Sequence, residues 1–357
     1  MKRIILCSDG TWNKPGKSRN TNVLKFARAV LPLDDTPPPG DDGMVFPIHQ
    51  VVFYDAGVGS GNVLDQVSGG AFGSGLDKNI KDVYRFLANN YVEGDEIFLI
   101  GFSRGAFTSR SAGGLIRNSG VLRKEHLDRL EEAFDLYRDS NVHPRGDVAV
   151  AFRDVYSYSP RVRFLGVFDT VGALGILLAG LRDFVMAIPG LGRWHRRKFQ
   201  FHNTDLSSTV DHAFHAVAID EHRGAFDVAL WSAPTPPKET DDRPPQVVQQ
   251  IWFAGDHSNV GGGHKDSELS DIALRGMADA AHAAGLRFDG SLPNPEELKP
   301  RGKLYESPQG FYKRLPQIDR GIGAQHEESV SPHVMARRDQ DSSYAPQNLK
   351  DYLDGRP

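Results

Sequence analysis

Short apolar runs alternate with segments of helical periodicity over the first two thirds of the chain. The apolar runs predict strands over Arg3–Cys7, Phe46–Tyr54, Asp95–Gly101, Val162–Phe168 and Val247–Phe253. Helical spacing of apolar residues predicts helices over Asn22–Val30, Leu76–Tyr91, Ser103–Ile116, Glu125–Asp139 and Ser270–Ala284, with another near Thr209–Ala218. Ser270 is the candidate N-cap of the last long helix, and Gly285 follows its end. This alternation predicts an α/β fold with a mostly parallel sheet and helices on both faces.

The domain organisation follows from the same pattern. We expect residues 1–290 to form one catalytic domain with a cap-like insertion over about 170–245. Residues 291–357 are rich in proline, which predicts loops and short helices packed on the same domain as an extension.

Composition narrows the class of protein. Hydrophobic residues make up 39% of the chain and 37 residues are glycine, which excludes a disordered or collagen-like chain. The net charge of −4 argues against a general nucleic-acid binder. The single cysteine, Cys7, excludes an internal disulfide framework and a cysteine-based zinc site.

No segment predicts export or a membrane span. The uncharged stretch from Thr170 to Leu181 is well short of the ~20 residues that cross a bilayer. Ile4–Cys7 is too short for the apolar region of a secretory signal. We therefore expect a cytoplasmic protein, with signal-independent secretion as the alternative.

A candidate nucleophile follows the third apolar run. Residues 101–105 read Gly-Phe-Ser-Arg-Gly, a G-x-S-x-G motif between a predicted strand and a predicted helix. A nucleophilic serine must stand on a tight, strained turn, and glycines on either side prevent collisions with strand and helix. We predict Ser103 as nucleophile and the backbone N–H of Arg104 as an oxyanion donor. The alternative is a Gly-Ser turn that only caps a helix.

A serine needs a base, and the base needs an acid. Asp169 ends the strand Val162–Phe168, and His257 follows the strand Val247–Phe253. Their order, serine then acid then histidine, is that of α/β-hydrolases. We predict Asp169 as the acid and His257 as the base. The alternative base is His264, and the alternative for Asp169 is a turn or helix-capping role.

The loop after the first strand has two interpretations. Gly10 or Thr11 would supply a second oxyanion N–H, with Asp9 or Asn13 orienting it. Alternatively, Asp9-Gly10 forms an Asx-type turn without a catalytic role. The segment Tyr54–Gly59 ends another strand and is a candidate pocket wall, but it lacks the pattern of a phosphate-binding loop.

The stretch after Asp169 suggests a lipid substrate. An apolar segment is followed by a basic run with an interfacial aromatic residue, comprising Arg193, Trp194, His195, Arg196, Arg197 and Lys198. Such a lid would make transient contact with an anionic lipid surface. The alternative is a buried helix followed by a solvated basic turn.

Four linked motifs carry a family resemblance: CSDGTWN, GFSRGAF, FDTVGALG and IWFAGDHSNVGGG followed by SELSDIAL. Together they resemble the α/β-hydrolase domain family that includes the type VI secretion phospholipase effectors, over roughly Lys2 to Gly285. The resemblance implies an α/β-hydrolase core and serine hydrolase chemistry. Matched residue by residue, it places the nucleophile on Ser103, the acid on Asp169 and the base on His257.

We therefore expect hydrolysis of an acyl ester, with a lipid or phospholipid substrate and without a metal or organic cofactor. A first alternative is a metal-dependent phosphohydrolase that uses side chains in strand-end loops, namely Asp9, Asp55, Asp256, His257 and His264. A second alternative is a non-catalytic binding protein on a hydrolase fold.

Overall fold

The fold is built on an eight-stranded sheet. A computed structural model describes residues 1–10, 19–36, 46–57, 69–171, 206–232, 244–307, 316–325 and 327–356. The strands are β1 (Lys2–Ser8), β2 (Leu33–Asp34), β3 (Ile48–Asp55), β4 (Glu96–Phe102), β7 (Val162–Phe168), β8 (Val210–Ala218), β9 (Val247–Phe253) and β10 (Glu328–Val330). They lie in the order β10-β9-β8-β7-β4-β1-β3-β2, and two further strands, β5 (Val121–Leu122) and β6 (Ser157–Tyr158), form a separate pair.

The sheet is parallel except at one edge. Every pairing is parallel apart from β2 with β3. The chain runs from β1 outward to β3 and then returns to place β4 on the other side of β1. At such a reversal, open α/β sheets bind ligands at the carboxyl ends of the adjoining strands, here β1 and β4.

Nine α-helices lie within the described ranges. They are α1 (Asn22–Ala29), α2 (Gly69–Asn90), α3 (Arg104–Ser119), α4 (Leu130–Arg138), α5 (Asp147–Tyr156), α6 (His257–Gly261), α7 (Glu268–Ala283), α8 (Pro332–Gln340) and α9 (Gln347–Leu353). Short 3₁₀ helices span Lys124–Arg129, Gly224–Phe226 and Pro295–Glu297. Within these ranges, none of the helices combines the length and apolarity that crossing a bilayer demands.

Alternating side chains of the central strands build two core layers. Ile4 and Leu6 of β1 pack with α2, α3 and α4 on one face of the sheet. Ile5 and Cys7 pack with α1 and α7 on the other face. Because strand side chains alternate between faces, a continuous apolar run covers both layers at once. The helices on both faces match the predicted α/β fold class.

The carboxy-terminal segment adds to this core. β10 pairs with β9 at the edge of the sheet. Ile322, Val334, Tyr344 and Leu349 form a third apolar cluster with residues of β8 and β9. Residues well beyond the last long helix therefore contact the strands that end at the candidate site.

Two expectations about local structure are wrong. The segment near Thr209–Ala218 is the strand β8 rather than a helix. It lies between β7 and β9, where neighbouring strands and both helix layers bury most of its residues. The helix α7 begins after Ser267 rather than after Ser270, whose hydroxyl donates instead to the carbonyl oxygen of Ser267.

Candidate active site

Ser103 stands on a strained turn between β4 and α3. Its backbone has φ 57° and ψ −118°, a conformation that residues with a Cβ rarely adopt. Its N–H donates to the carbonyl oxygen of Phe168, the residue before Asp169, at 3.1 Å. A Cβ on Gly101 would lie 2.4 Å from the carbonyl oxygen of Gly105. The motif therefore needs glycine at position 101 because α3 starts directly against the end of β4.

The loop after β1 lies against the same turn. A Cβ on Gly105 would lie 2.0 Å from the carbonyl oxygen of Ser8 and 2.7 Å from that of Asp9. The N–H of Gly10 donates to Asp9 Oδ1 at 2.7 Å, and the Tyr54 hydroxyl donates to Asp9 Oδ2 at 2.7 Å. The carboxylate of Asp9 is buried and fixes this loop beside the serine turn. Thr11 and Asn13, the other candidates in the loop, lie outside the described residues.

Asp169 and His257 meet at the ends of β7 and β9. His257 Nδ1 lies 2.6 Å from Asp169 Oδ2, and both side chains are buried. Asp169 has φ 39°, so its backbone is also in the left-handed region. The pairing through Nδ1 leaves Nε2 as the ring nitrogen available to a substrate or a nucleophile.

The Asp169 carboxylate also accepts hydrogen bonds from groups other than His257. Arg320 binds it at two points, Nη1 to Oδ1 at 2.7 Å and Nη2 to Oδ2 at 3.1 Å. The backbone N–H of Ala218, at the end of β8, donates to Oδ1 at 3.0 Å. Burial would raise the pKa of Asp169, but the Arg320 charge and the His257 hydrogen bond outweigh it and hold the pKa well below its usual range. Asp169 is therefore a carboxylate at every physiological pH.

Aromatic rings fix the His257 imidazole. The ring of Phe102, the neighbour of Ser103, lies 4.6 Å from it between centroids. Phe226 meets it edge-on at 5.0 Å. A Cβ on Gly261 would lie 1.9 Å from the Phe102 ring, so α6 packs directly on the end of β4. His257 is thereby held against the turn that carries Ser103.

Glu221 supports the backbone of the same histidine. Its Oε2 accepts from the N–H of His257 at 3.3 Å and from Arg223 Nη2 at 2.6 Å. Its Oε1 accepts from the Ser307 hydroxyl at 2.7 Å. Burial raises the pKa of Glu221, but the Arg223 hydrogen bond and charge lower it to about 2. A second buried carboxylate thus remains charged beside the His257 main chain.

The other histidine candidate is oriented differently. His264 Nε2 pairs with Asp256 Oδ1 at 2.8 Å, and its ring stacks on Tyr305 with centroids 3.8 Å apart. Asp256 also caps α6 by accepting from the N–H groups of Ser258 and Asn259. His264 therefore braces the loop that follows His257.

The five residues of the phosphohydrolase alternative do not converge on one point. Asp9 binds the Gly10 loop, His257 pairs with Asp169 and His264 with Asp256. Asp55 Oδ1 accepts from the N–H of Gly57. Within the ranges that the structure describes, no three histidine, cysteine or acidic side chains are grouped to hold a metal ion.

Sequence patterns miss two charged residues of this site. Arg320 lies in no strand-end motif. Glu221 follows β8, but the sequence pattern predicts that segment as a helix and so does not mark a strand end there. The basic run over 193–198 and most of the predicted cap lie outside the described residues.

A family comparison covers the part of the chain that forms this site. The model of the family described as "T6SS, Phospholipase effector Tle1-like, catalytic domain" matches residues 2–280. The chain belongs to this family. The resemblance carried by the four sequence motifs is thereby confirmed. The range that matches the Tle1-like family runs from β1 into α7, so Ser103, Asp169 and His257 all lie inside it.

Other relatives of this Tle1-like chain are longer than the chain itself. The protein YEL023C of Saccharomyces cerevisiae, titled uncharacterized, is 29% identical over 252 residues, which cover 63% of this chain and 32% of the yeast protein. The chain thus spans about a third of that relative.

Two solved structures are similar at low identity. An uncharacterized protein from Pseudomonas aeruginosa has a TM-score of 0.40 and 16% identity, over 83% of this chain and 48% of that one. The Tle1 effector bound to the VgrG spike of the Type 6 secretion system has a TM-score of 0.38 and 17% identity, over 74% and 51%. The chain spans about half of each.

Proposed function

We propose that this protein is a serine hydrolase of lipid acyl esters, with Ser103, His257 and Asp169 as its catalytic triad. The observation that carries the proposal is the 2.6 Å contact between His257 Nδ1 and Asp169 Oδ2, buried beside the strained Ser103 turn. Family membership supports the class of reaction. A turn of this kind, a paired imidazole and a buried carboxylate are the parts that acyl transfer through a serine requires.

The proposed reaction has two stages. His257 Nε2 takes the proton of Ser103 as the serine oxygen attacks the ester carbonyl, and then gives that proton to the leaving alcohol. Water, activated by the same nitrogen, then attacks the acyl-enzyme and releases the fatty acid. Asp169 keeps the proton on Nδ1 and stabilises the imidazolium that forms in both stages.

Backbone amides hold the oxyanion in this proposal. The amide of Arg104, at the start of α3, is one donor, and the positive end of the helix adds to its effect. The Gly10 amide is bonded to Asp9, so we assign the second donor to Thr11 in the same loop. Asp9 then acts by fixing that loop against Gly105.

For the substrate, we propose a phospholipid acyl ester. The name of the family describes phospholipase effectors, and the basic run over 193–198 would favour an anionic lipid surface.

The test is release of fatty acid from vesicles. Phosphatidylglycerol–phosphatidylethanolamine vesicles are incubated with the wild type, with Ser103→Ala and with Ser119→Ala. Ser119 is a matched control because it lies at the far end of α3 from Ser103. Its buried hydroxyl donates to the carbonyl oxygen of Ala133. We expect release by the wild type and Ser119→Ala, and a loss of about 10³-fold or more in Ser103→Ala. Release that survives in Ser103→Ala and disappears with a chelator contradicts the proposal and favours the metal-dependent alternative.

A further inference from the structure

A buried arginine from the carboxy-terminal segment reaches the candidate triad. Arg320 lies beyond residue 280, where the family match ends. Its side chain is 1% exposed, and its guanidinium binds both oxygens of Asp169. It also donates to the carbonyl oxygens of Ala218 and Phe226. The segment over 316–325 therefore inserts a positive charge behind the proposed catalytic acid.

The guanidinium and the imidazole share one carboxylate oxygen. Asp169 Oδ2 accepts from His257 Nδ1 and from Arg320 Nη2. Asp169 carries a single negative charge, and Arg320 balances it permanently because an arginine does not lose its proton in proteins. An imidazolium formed on His257 therefore faces a neutralised acid and a neighbouring cation, in a site that excludes most water.

We propose that Arg320 is a positioning residue that orients the Asp169 carboxylate and makes the imidazolium form of His257 less favourable. This inference rests on the proposed function. Two effects follow from it. The two-point contact fixes the plane of the carboxylate, so that Oδ2 points at Nδ1. The Arg320 charge repels a second positive charge on His257 across the shared carboxylate oxygen, so its removal is expected to favour the protonated pair.

Other titratable groups face this pair, and each has a partner of its own. Glu221 pairs with Arg223 and accepts from the His257 main-chain N–H, and its charge also favours a positive charge on the imidazole. Asp256 pairs with His264 on the α6 side. His215 of β8 lies behind the acid, and its Nε2 accepts from the N–H of Thr170 at 3.1 Å. Among these described groups, Arg320 is the cation that touches Asp169 directly.

The test follows the rate of covalent labelling by a fluorophosphonate between pH 5 and 9. Arg320→Gln removes the charge and retains an N–H donor, whereas Arg320→Lys retains the charge and loses the planar fork. In Arg320→Gln we expect the acid limb of the pH–rate profile to move up by about one pH unit and the limiting rate to fall about tenfold. In Arg320→Lys we expect a reduced rate with the limb at its wild-type position.

The control is Arg337→Gln. Arg337 is another buried arginine of the carboxy-terminal segment, and it donates to the carbonyl oxygens of Pro300 and Gly302. Its loss should lower thermal stability without moving the acid limb.

Each outcome has a distinct meaning. An unmoved limb in a folded Arg320→Gln protein overturns the inference while leaving the triad intact. If Arg320→Gln does not fold, the Arg320→Lys variant decides: an acid limb at higher pH than in the wild type also overturns the inference. A wild type that the probe does not label refutes the proposed function, and this inference with it.

Discussion

Gly105 lies so close to Ser8 that a methyl group on its Cα would be 2.0 Å from the Ser8 carbonyl oxygen. The first turn of α3 and the loop after β1 are thus in backbone contact at the point where the sheet order reverses. This contact brings the loop that we assign to the oxyanion to the side of the proposed nucleophile.

Gly105→Ala should therefore separate the two loops. We expect a loss of about 3 kcal/mol in the free energy of unfolding, the upper end for overpacking, together with a large loss of ester hydrolysis. Gly113→Ala in the same helix is the control, because its Cβ would make an ordinary 3.6 Å contact with Leu99. The free energy of unfolding of Gly113→Ala should increase by up to about 1 kcal/mol, because alanine favours a helix over glycine. Equal urea midpoints for the two variants would contradict the packing argument.

Asp169→Asn should damage both chemistry and folding. The amide cannot stabilise an imidazolium, so we expect hydrolysis to fall by about 10³–10⁴-fold. Arg320 would lose its buried counter-charge, which costs about 3–5 kcal/mol.

The control for this variant is Asp211→Asn on β8. Asp211 pairs with Arg161 and Arg163 at the partly exposed start of that strand. Its loss should cost at most about 1 kcal/mol and leave hydrolysis near the wild-type rate. Activity of Asp169→Asn within tenfold of the wild type would show that Asp169 is not the catalytic acid.

Ser103→Gly should be more stable than Ser103→Ala. Glycine adopts φ 57° and ψ −118° without the strain that any Cβ introduces, so we expect a difference of about 1 kcal/mol in urea unfolding. At Ser111, in the middle of α3, the order should be reversed because glycine weakens a helix. The same order at both positions would mean that the Ser103 turn is not strained.

His215 should make folding sensitive to mild acid. Burial, with a smaller contribution from the Arg110 charge, lowers its pKa to about 3. Because the unfolded chain takes up this proton near pH 6.5 and the folded chain does not, stability is present above pH 6.5 and decreases as the pH falls towards 3.

Between pH 6.5 and 4.5 the His215 contribution amounts to about 2 kcal/mol. His215→Gln retains an acceptor for the Thr170 N–H and removes the titration. From pH 6.5 to pH 4.5, the free energy of unfolding should therefore decrease more in the wild type than in His215→Gln, and the difference should equal the His215 contribution. Parallel curves would contradict a buried neutral His215.

The strands that end at Asp169 and near His257 could be predicted from the sequence. Val162–Phe168 and Val247–Phe253 are observed with the predicted bounds, because each apolar run is closed by polar residues. Val210–Ala218 could not be distinguished from a helix, since its alanines and histidines fit either period. Its position between two parallel strands, which the local pattern does not encode, decides the structure.

The site could be predicted only where a residue follows a strand that the sequence pattern itself predicts. Ser103, Asp169 and His257 do so, and the structure places them at the ends of β4, β7 and β9. Arg320 is separated from Asp169 by 151 positions, and the contact depends on how the carboxy-terminal segment packs on β8 and β9. Glu221 likewise meets His257 only through the folding of two strand-end loops.

The most direct measurement is the intact mass of the protein after treatment with a fluorophosphonate, followed by mapping of the modified peptide. The account predicts one adduct per chain in the wild type, located on Ser103, and none in Ser103→Ala. An adduct on another residue, or an unmodified wild type that still releases fatty acid, would contradict it.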